Sequence, residues 1–437
     1  MRHYTIWLVA TFAFALASCQ LITQPIPDST AAVLDSTSSQ DSPSFSTSTG
    51  TIGFTSTPDE IVAASFDDPT VVEFDAGLSH SLAVSADGSV WAWGRSFEGQ
   101  LGLVPDEEKR FETTPIMLTN LPKPIIDVEA GGDFSLALAD DGSVWVWGLN
   151  EDCQLGIGSA DTDQIVPPTQ ITGLPVEVTA ISAGTSHALA LDSSGRLWAW
   201  GDNTSGKLGD GTSEDRCTPV QVQTDEIIVE IAVNPVYNIA LTDHGTVLSW
   251  GCNNWGQLGI GQFSDQDCIG DDPAMHPTPV QIQNLAGIVK IAAGNAALAM
   301  DSDDILWRWG QTEFDPTVTE GIDETDASTP SQLFGPTNMT KMDSWTEVLL
   351  LEQNGTVWQW GFIGNDGLNG YGPSNPEIVP ELVNIADISA GTLYALALDY
   401  DGNLWAWGLN RSGQLGDGTI EDRETPVQVL PFVDSSR

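Results

Sequence analysis

ISAGTSHALALDSSGRLWAWGDNTSGKLGDG, residues 181–211, holds three short apolar runs separated by turn residues and closes its third run on Trp-Gly. The same ending falls at Trp93-Gly94, Trp147-Gly148, Trp200-Gly201, Trp250-Gly251, Trp309-Gly310, Trp360-Gly361 and Trp407-Gly408. Successive pairs are 54, 53, 50, 59, 51 and 47 residues apart. A period of about 50 residues belongs to a propeller or another array of like units. It overrides the two or three domains that a chain of 437 residues would otherwise suggest.

Within one copy the spacing predicts four strands. Val178 to Ser182 reaches Ala183-Gly184; His187 to Leu191 runs into Asp192-Ser193-Ser194-Gly195; Arg196 to Trp200 ends at Gly201; Pro219 to Val222 follows a Gly-punctuated polar loop. The tight turns recur at Asp87-Gly88, Asp141-Gly142, His244-Gly245, Asn354-Gly355 and Asp401-Gly402, where Gly takes a positive φ at little cost. In Leu197-Trp198-Ala199-Trp200 strand alternation puts both indoles on one face and the small Ala on the other. Thirteen of the 16 tryptophans sit in such third strands, so they are expected in the packing between blades. Three copies depart from the unit. The fourth has Val233-Asn234 for Ala-Gly, the fifth has Asp303-Asp304 at its hairpin and an insertion from Gln311, and the sixth has Asp343-Ser344 for Ala-Gly.

These residues also resemble a known repeat. Ala183-Gly184-x-x-His187, Gly195-x-Leu-Trp-Ala-Trp-Gly201, Asn203-x-x-Gly206-x-Leu-Gly209 and Pro219-Val look like the unit of the regulator of chromosome condensation family. The seventh copy, from Ala390-Gly391 to Gly418, matches as well. The resemblance implies an all-β, seven-bladed β-propeller with about 51 residues per repeat. Among its known activities the family counts guanine nucleotide exchange, ultraviolet-B photoreception and inhibition of β-lactamases by exported bacterial members. The photoreceptor's Gly-Trp-Arg-His-Thr motif is absent here. The ring is expected to close by pairing of Val427 to Leu430 into the blade that begins at Val71, with Ile61 to Ala64 as the competing latch.

The ends and totals bear on compartment and partners. Arg2, the apolar run Ile6 to Leu16 and Leu16-Ala17-Ser18-Cys19 read as a bacterial lipoprotein signal over residues 1–18, with Cys19 the lipidated residue. Residues 19–66, rich in Ser, Thr and Pro, read as a disordered tether, and residues 67–437 as the propeller. The chain is then exported and lipid-anchored at the envelope, outer membrane or cell surface, touching membrane only through the lipid. A formal charge of -47 argues against nucleic acid as a partner. Cys153, Cys217, Cys252 and Cys268 allow three disulfide connectivities, of which Cys252 with Cys268 is the most local; free thiols are the alternative.

Aligning the copies on Trp-Gly puts His80, Phe134, His187, Tyr237, Ala296, Glu347 and Tyr394 at one position, a ring that could form a recognition surface around the channel. In the loops after Trp-Gly, Arg95, Phe97 and Trp255 stand out as residue types that anchor protein interfaces. No catalytic signature is present, so no enzyme activity and no cofactor are expected. Asp265-x-Asp267-x-x-Gly270 begins like a calcium loop but lacks the acidic twelfth residue, His276 standing there. The expected function is a monomeric, surface-displayed module that binds a protein partner, with inhibition or regulation of an extracellular enzyme as the role this would serve. Guanine nucleotide exchange is the alternative, and action on wall or matrix polysaccharide a third reading.

Overall fold

A computed structural model describes residues 70–103, 110–122, 124–160, 165–175, 177–263, 268, 275–310, 328–333, 335–361 and 376–432. They form seven four-stranded antiparallel sheets, each made of strands consecutive in the chain. Blades 1 to 7 span residues 71–118, 125–170, 178–221, 228–281, 288–333, 339–378 and 385–428. In blade 3 the strands are Val178–Ala183, His187–Asp192, Leu197–Gly201 and Arg216–Gln221, within three residues of the expected limits. The first strands of neighbouring blades stand side by side around a central channel, that of blade 7 beside that of blade 1.

Two glycine positions explain why the unit has its punctuation. Gly195 turns the hairpin at φ 79°, and its amide donates to the Asp192 carbonyl at 2.9 Å. Gly201 has φ 103°, and a Cβ there would lie 2.5 Å from the Ser186 oxygen and 2.7 Å from the His187 Cα. Any side chain would prise the third strand from the second. Where blade 5 replaces Gly, Asp304 itself takes φ 61°.

The fourth strands are outer edges and carry the prolines, among them Pro115, Pro167, Pro219, Pro279 and Pro426. An edge strand tolerates a missing N–H, and the same residue blocks pairing with another chain.

Each joint between blades is a hydrophobic cluster. Phe134, Leu136 and Leu138 of blade 2 pack on Ala188, Ala190 and Trp200 of blade 3. Leu349 and Leu351 of blade 6 pack on Ala395, Ala397 and Trp407 of blade 7 in the same way. One face of a blade carries Leu, and the facing one carries Trp beside small residues.

The joint between blades 7 and 1 corrects the expected latch. Val427 and Gln428 pair with Ala406 and Trp405 of their own blade, not with blade 1. Every copy already contains its four strands in order, so none is left over to exchange. Closure is made by side chains and loops instead. Val429 and Phe432 pack with Val71, Trp91 and Trp93; the Gly418 amide donates to the Thr113 carbonyl at 2.9 Å. Ile61 to Ala64, Cys19 and the segment 1–66 lie outside the described residues.

Candidate functional site

The innermost strand of each blade is an edge facing the channel, and its N–H groups need acceptors that no further strand supplies. Carboxylates from the preceding blade fill that role. Asp75 accepts from the Ala130 amide at 2.8 Å, Glu129 from Ala183 at 3.2 Å, Glu230 from Ile291 at 3.3 Å and Asp343 from Ala390 at 2.8 Å. Between blades 7 and 1, Ser389 Oγ accepts from the Ala76 amide at 3.0 Å and donates to Asp75 at 2.9 Å. Five of the seven joints are braced this way. With Glu73 and Lys341, these groups line a cavity of about 230 Å³ on the axis of the ring; a second of about 370 Å³ shares Glu230 and Lys341 with it and adds Lys290 and Asp387, and Asp127 feels the charges of Glu73 and Asp75 nearby.

So many acids in one buried tube hold protons tightly. Burial, then the charges of Glu73 and Asp75, push Asp127 up to about 7. Burial raises Asp343 to about 6, and burial with Asp75 and Asp127 holds Glu129 well above the carboxylate range. Burial opposes the Lys341 ammonium, but Asp387 and Asp343 outweigh it and raise its pKa. The sequence reading missed this cluster. Its signal was available: acids recur in phase at the third and fifth positions of the first strands, as in Glu73 and Asp75 or Asp127 and Glu129.

The expected recognition ring is not a surface. His80, Phe134, His187, Tyr237, Glu347 and Tyr394 are all buried, at 1% exposure or less, and Ala296 is half-buried. Each starts a second strand and reaches toward the next blade. His80 Nε2 meets Ser135 Oγ at 2.8 Å, and His187 Nε2 meets Asn238 Oδ1 at 3.0 Å. Ser135 donates onward to the Gln100 carbonyl and Asn238 to the Lys207 carbonyl, so both imidazoles carry their proton on Nε2. Burial pushes both histidines down to about 3, leaving them neutral. Tyr237 donates to the Gly294 carbonyl at 2.8 Å, and Tyr394 to the His80 carbonyl at 2.6 Å. Glu347 accepts from the Thr346 hydroxyl, its Oε1 has no partner, and burial pushes its pKa well above the usual range. The column sets how blades meet and offers nothing to solvent.

The third-strand tryptophans do the same work at the same end of the blade, reaching back to the preceding one. Trp93, Trp147, Trp200, Trp250 and Trp309 donate to the carbonyls of Gln414, Gln100, Gln154, Lys207 and Gln257, each in the loop of the preceding blade. That loop is itself clamped by an Asn. Asn203 Oδ1 accepts from the Leu208 amide at 2.9 Å, and Asn253 and Asn410 repeat the bond.

What remains displayed is the loop face, where the third strands end. Trp255 is 44% exposed and Phe97 38%. Trp255 sits on a rigid loop: its amide donates to Gln257 Oε1 at 2.7 Å, and a Cys252–Cys268 disulfide ties the loop's base. A second disulfide, Cys153–Cys217, joins the loop of blade 2 to the outer strand of blade 3. Arg95 is half-buried, 3.2 Å from the Asp133 carboxylate, and its guanidinium lies 5.4 Å from the Phe97 ring centre. Asp265 and Asp267 lie outside the described residues; among those described, no three His, Cys, Asp or Glu converge as a metal set.

Fold and joints together define a seven-bladed propeller built from repeats of one kind. Residues 37–345 match the model of the RCC1-like domain, and residues 385–414 and 401–436 match models of the regulator of chromosome condensation (RCC1) repeat. The chain belongs to the RCC1-like domain family. It is 31% identical over 376 residues to the ultraviolet-B receptor UVR8 of Arabidopsis thaliana, covering 82% of this chain and 70% of that one. It is 26% identical to the E3 ubiquitin-protein ligase HERC2 of Homo sapiens over 79% of this chain, which is 7% of HERC2. Among solved structures, human WBSCR16 superposes with a TM-score of 0.67 at 26% identity, over 79% of this chain and 94% of that one. Prp20p of Saccharomyces cerevisiae, described with its binding to Gsp1p and histones, superposes with a TM-score of 0.68 at 24% identity, over 80% and 87%.

Proposed function

We propose that the chain is an exported, envelope-anchored interaction module that binds a protein through its loop face, as an inhibitor or regulator of an extracellular enzyme. The observation that carries this reading is Trp255: a large indole exposed to solvent, its amide bonded to Gln257 Oε1, in a loop that the Cys252–Cys268 disulfide closes. A rigid exposed aromatic costs little ordering entropy on binding and is a usual interface anchor. Protein binding also suits the family, since Prp20p is described by its binding to Gsp1p and histones. Two disulfides suit an oxidising compartment, in agreement with the lipoprotein-like sequence ahead of Cys19.

The test is capture from exported and envelope proteins by the full chain, beside a Phe97→Ala/Trp255→Ala double variant and an Ile227→Ala/Val229→Ala control. The control residues are exposed where a first strand begins, at the opposite end of the blade. A partner lost only with the first variant supports the loop face. Retention by the first variant, or loss only with the control, overturns it.

A further inference from the structure

Arginine is scarce in this chain, and where it occurs it is nearly always spoken for. Arg95, Arg196, Arg216, Arg411 and Arg423 each hold a carboxylate of a neighbouring residue or loop. Arg110 holds none among the described residues. It is exposed, and its guanidinium instead lies 4.7 Å from the ring centre of Phe97. In a molecule with 61 acidic residues and 14 basic ones, a guanidinium with no acid partner among the described residues, set on an aromatic face, stands apart from its fellows.

The surroundings are apolar and shaped. Phe97, Leu103 and Ile165 are exposed at 38%, 39% and 36%. Ile165, from the blade 2 loop, lies over Gly99 of the blade 1 loop so closely that a Cβ on Gly99 would come within 2.0 Å of its Cγ2. Two loops thus meet in one patch, with Arg110 stacked at Phe97. Stacking holds the plane of a guanidinium while leaving its edge N–H groups free, the arrangement that takes a carboxylate by two parallel hydrogen bonds.

We propose that this patch is the specificity site of the loop face, and that it takes a protein loop presenting an Asp or Glu beside an apolar side chain. The inference rests on the protein-binding reading above. Glu98, Glu151 and Asp133 lie around Arg95, whose guanidinium shares the Phe97 ring with Arg110, so an extended polyanion is disfavoured beside the patch and a single carboxylate directed at Arg110 suits it better. The same balance selects a partner whose wider surface is basic, complementary to the net charge of -47.

The experiment pans a displayed library of seven-residue peptides on the full chain and on four variants: Arg110→Ala, Arg110→Lys, Arg110→Glu and Trp255→Ala. Enrichment of peptides with Asp or Glu next to an apolar residue is expected. Their signal should fall at least about tenfold with Arg110→Ala, the size of one charged hydrogen bond at ~1.4 kcal/mol or more. Arg110→Lys keeps the charge without the planar fork and should lose most of it, while Arg110→Glu should enrich Lys- or Arg-bearing peptides instead. Equal melting temperatures show that the variants are folded. No enrichment, acid-free enrichment, or acidic peptides retained by Arg110→Ala would overturn the proposal. If Trp255→Ala abolishes capture of the protein partner while Arg110→Ala leaves it intact, this site fails and the loop face stands.

Discussion

At the scale of single residues, the loop clamps are the most exacting positions in the fold. Asn410 is fully buried; its Oδ1 accepts from the Leu415 amide at 3.0 Å, and its Nδ2 donates to Asp417 at 3.1 Å and the Thr419 carbonyl at 3.2 Å. Asn410→Ala strands the Leu415 N–H in a buried site, which costs about 1–3 kcal/mol. Asn410→Asp keeps the acceptor but sets a charge against Asp417, so it should destabilise too; urea unfolding of both variants measures this, and an unchanged midpoint would remove the clamp. Residues of this kind were only half legible. Asn203 was visible as part of a motif, but not as the group that holds the loop against the next blade's Trp. The column His80, His187, Tyr237 and Tyr394 was visible too, and its chemistry was misassigned to solvent. The partner column would have corrected it: Ser135 follows His80 by one blade, Asn238 follows His187, and Ser81 follows Tyr394, polar opposite polar, while Ala188 faces Phe134. Residue type at one position says little about exposure until the position it faces is read with it.

At the scale of elements, strand number and order followed from the hairpin turns and Trp-Gly endings, because tight turns leave little choice of neighbour. Ring closure did not follow, because it depends on whether the repeats are cut in phase with the blades, and both phases share one period. Here the phase leaves 71–118 and 385–428 each complete, so the last joint needs a substitute for an exchanged strand. Phe432 supplies much of it, lying edge-on to Trp91 at 5.4 Å and Trp93 at 6.0 Å between ring centres. Phe432→Ala should cost about 3 kcal/mol, the low end for a buried Phe since the ring is 8% exposed. Its urea midpoint should drop with the slope unchanged, as for a cooperative ring. Should the loss instead be negligible, the Ser389–Asp75 brace and the loop bonds carry the closure by themselves.

At the scale of the whole molecule, the channel and the joints pull the pH dependence in opposite directions. Asp127, at about 7, and Asp343, at about 6, bind protons more tightly folded than unfolded, where an Asp titrates near 3.8. Their contribution to stability is full below that unfolded value and is lost as pH rises through 6 and 7. His80 and His187, at about 3, are the converse: their neutral, hydrogen-bonded forms favour the fold above the unfolded value of 6.5, and that contribution is lost as pH falls toward 3. Glu73, Asp75, Glu129, Glu230 and Glu347 are also raised by burial, so the acids outnumber the histidines. Maximum stability is therefore expected at about pH 4, near the unfolded carboxylate values, with a decline toward pH 8. Asp127→Asn separates this from general relief of the net charge. It removes a group that must ionise in a buried tube beside Glu73 and Asp75, while Asn still offers an acceptor oxygen to the chain. The variant should melt higher than the parent at pH 8, by a margin that shrinks as pH falls and closes at about pH 4, whereas a surface Asp401→Asn, which changes the net charge equally at an exposed turn, should show little of that pH-dependent difference. Equal gains from the two substitutions at pH 8 would assign the decline to the molecule's overall charge and leave the channel acids as plain hydrogen-bond acceptors.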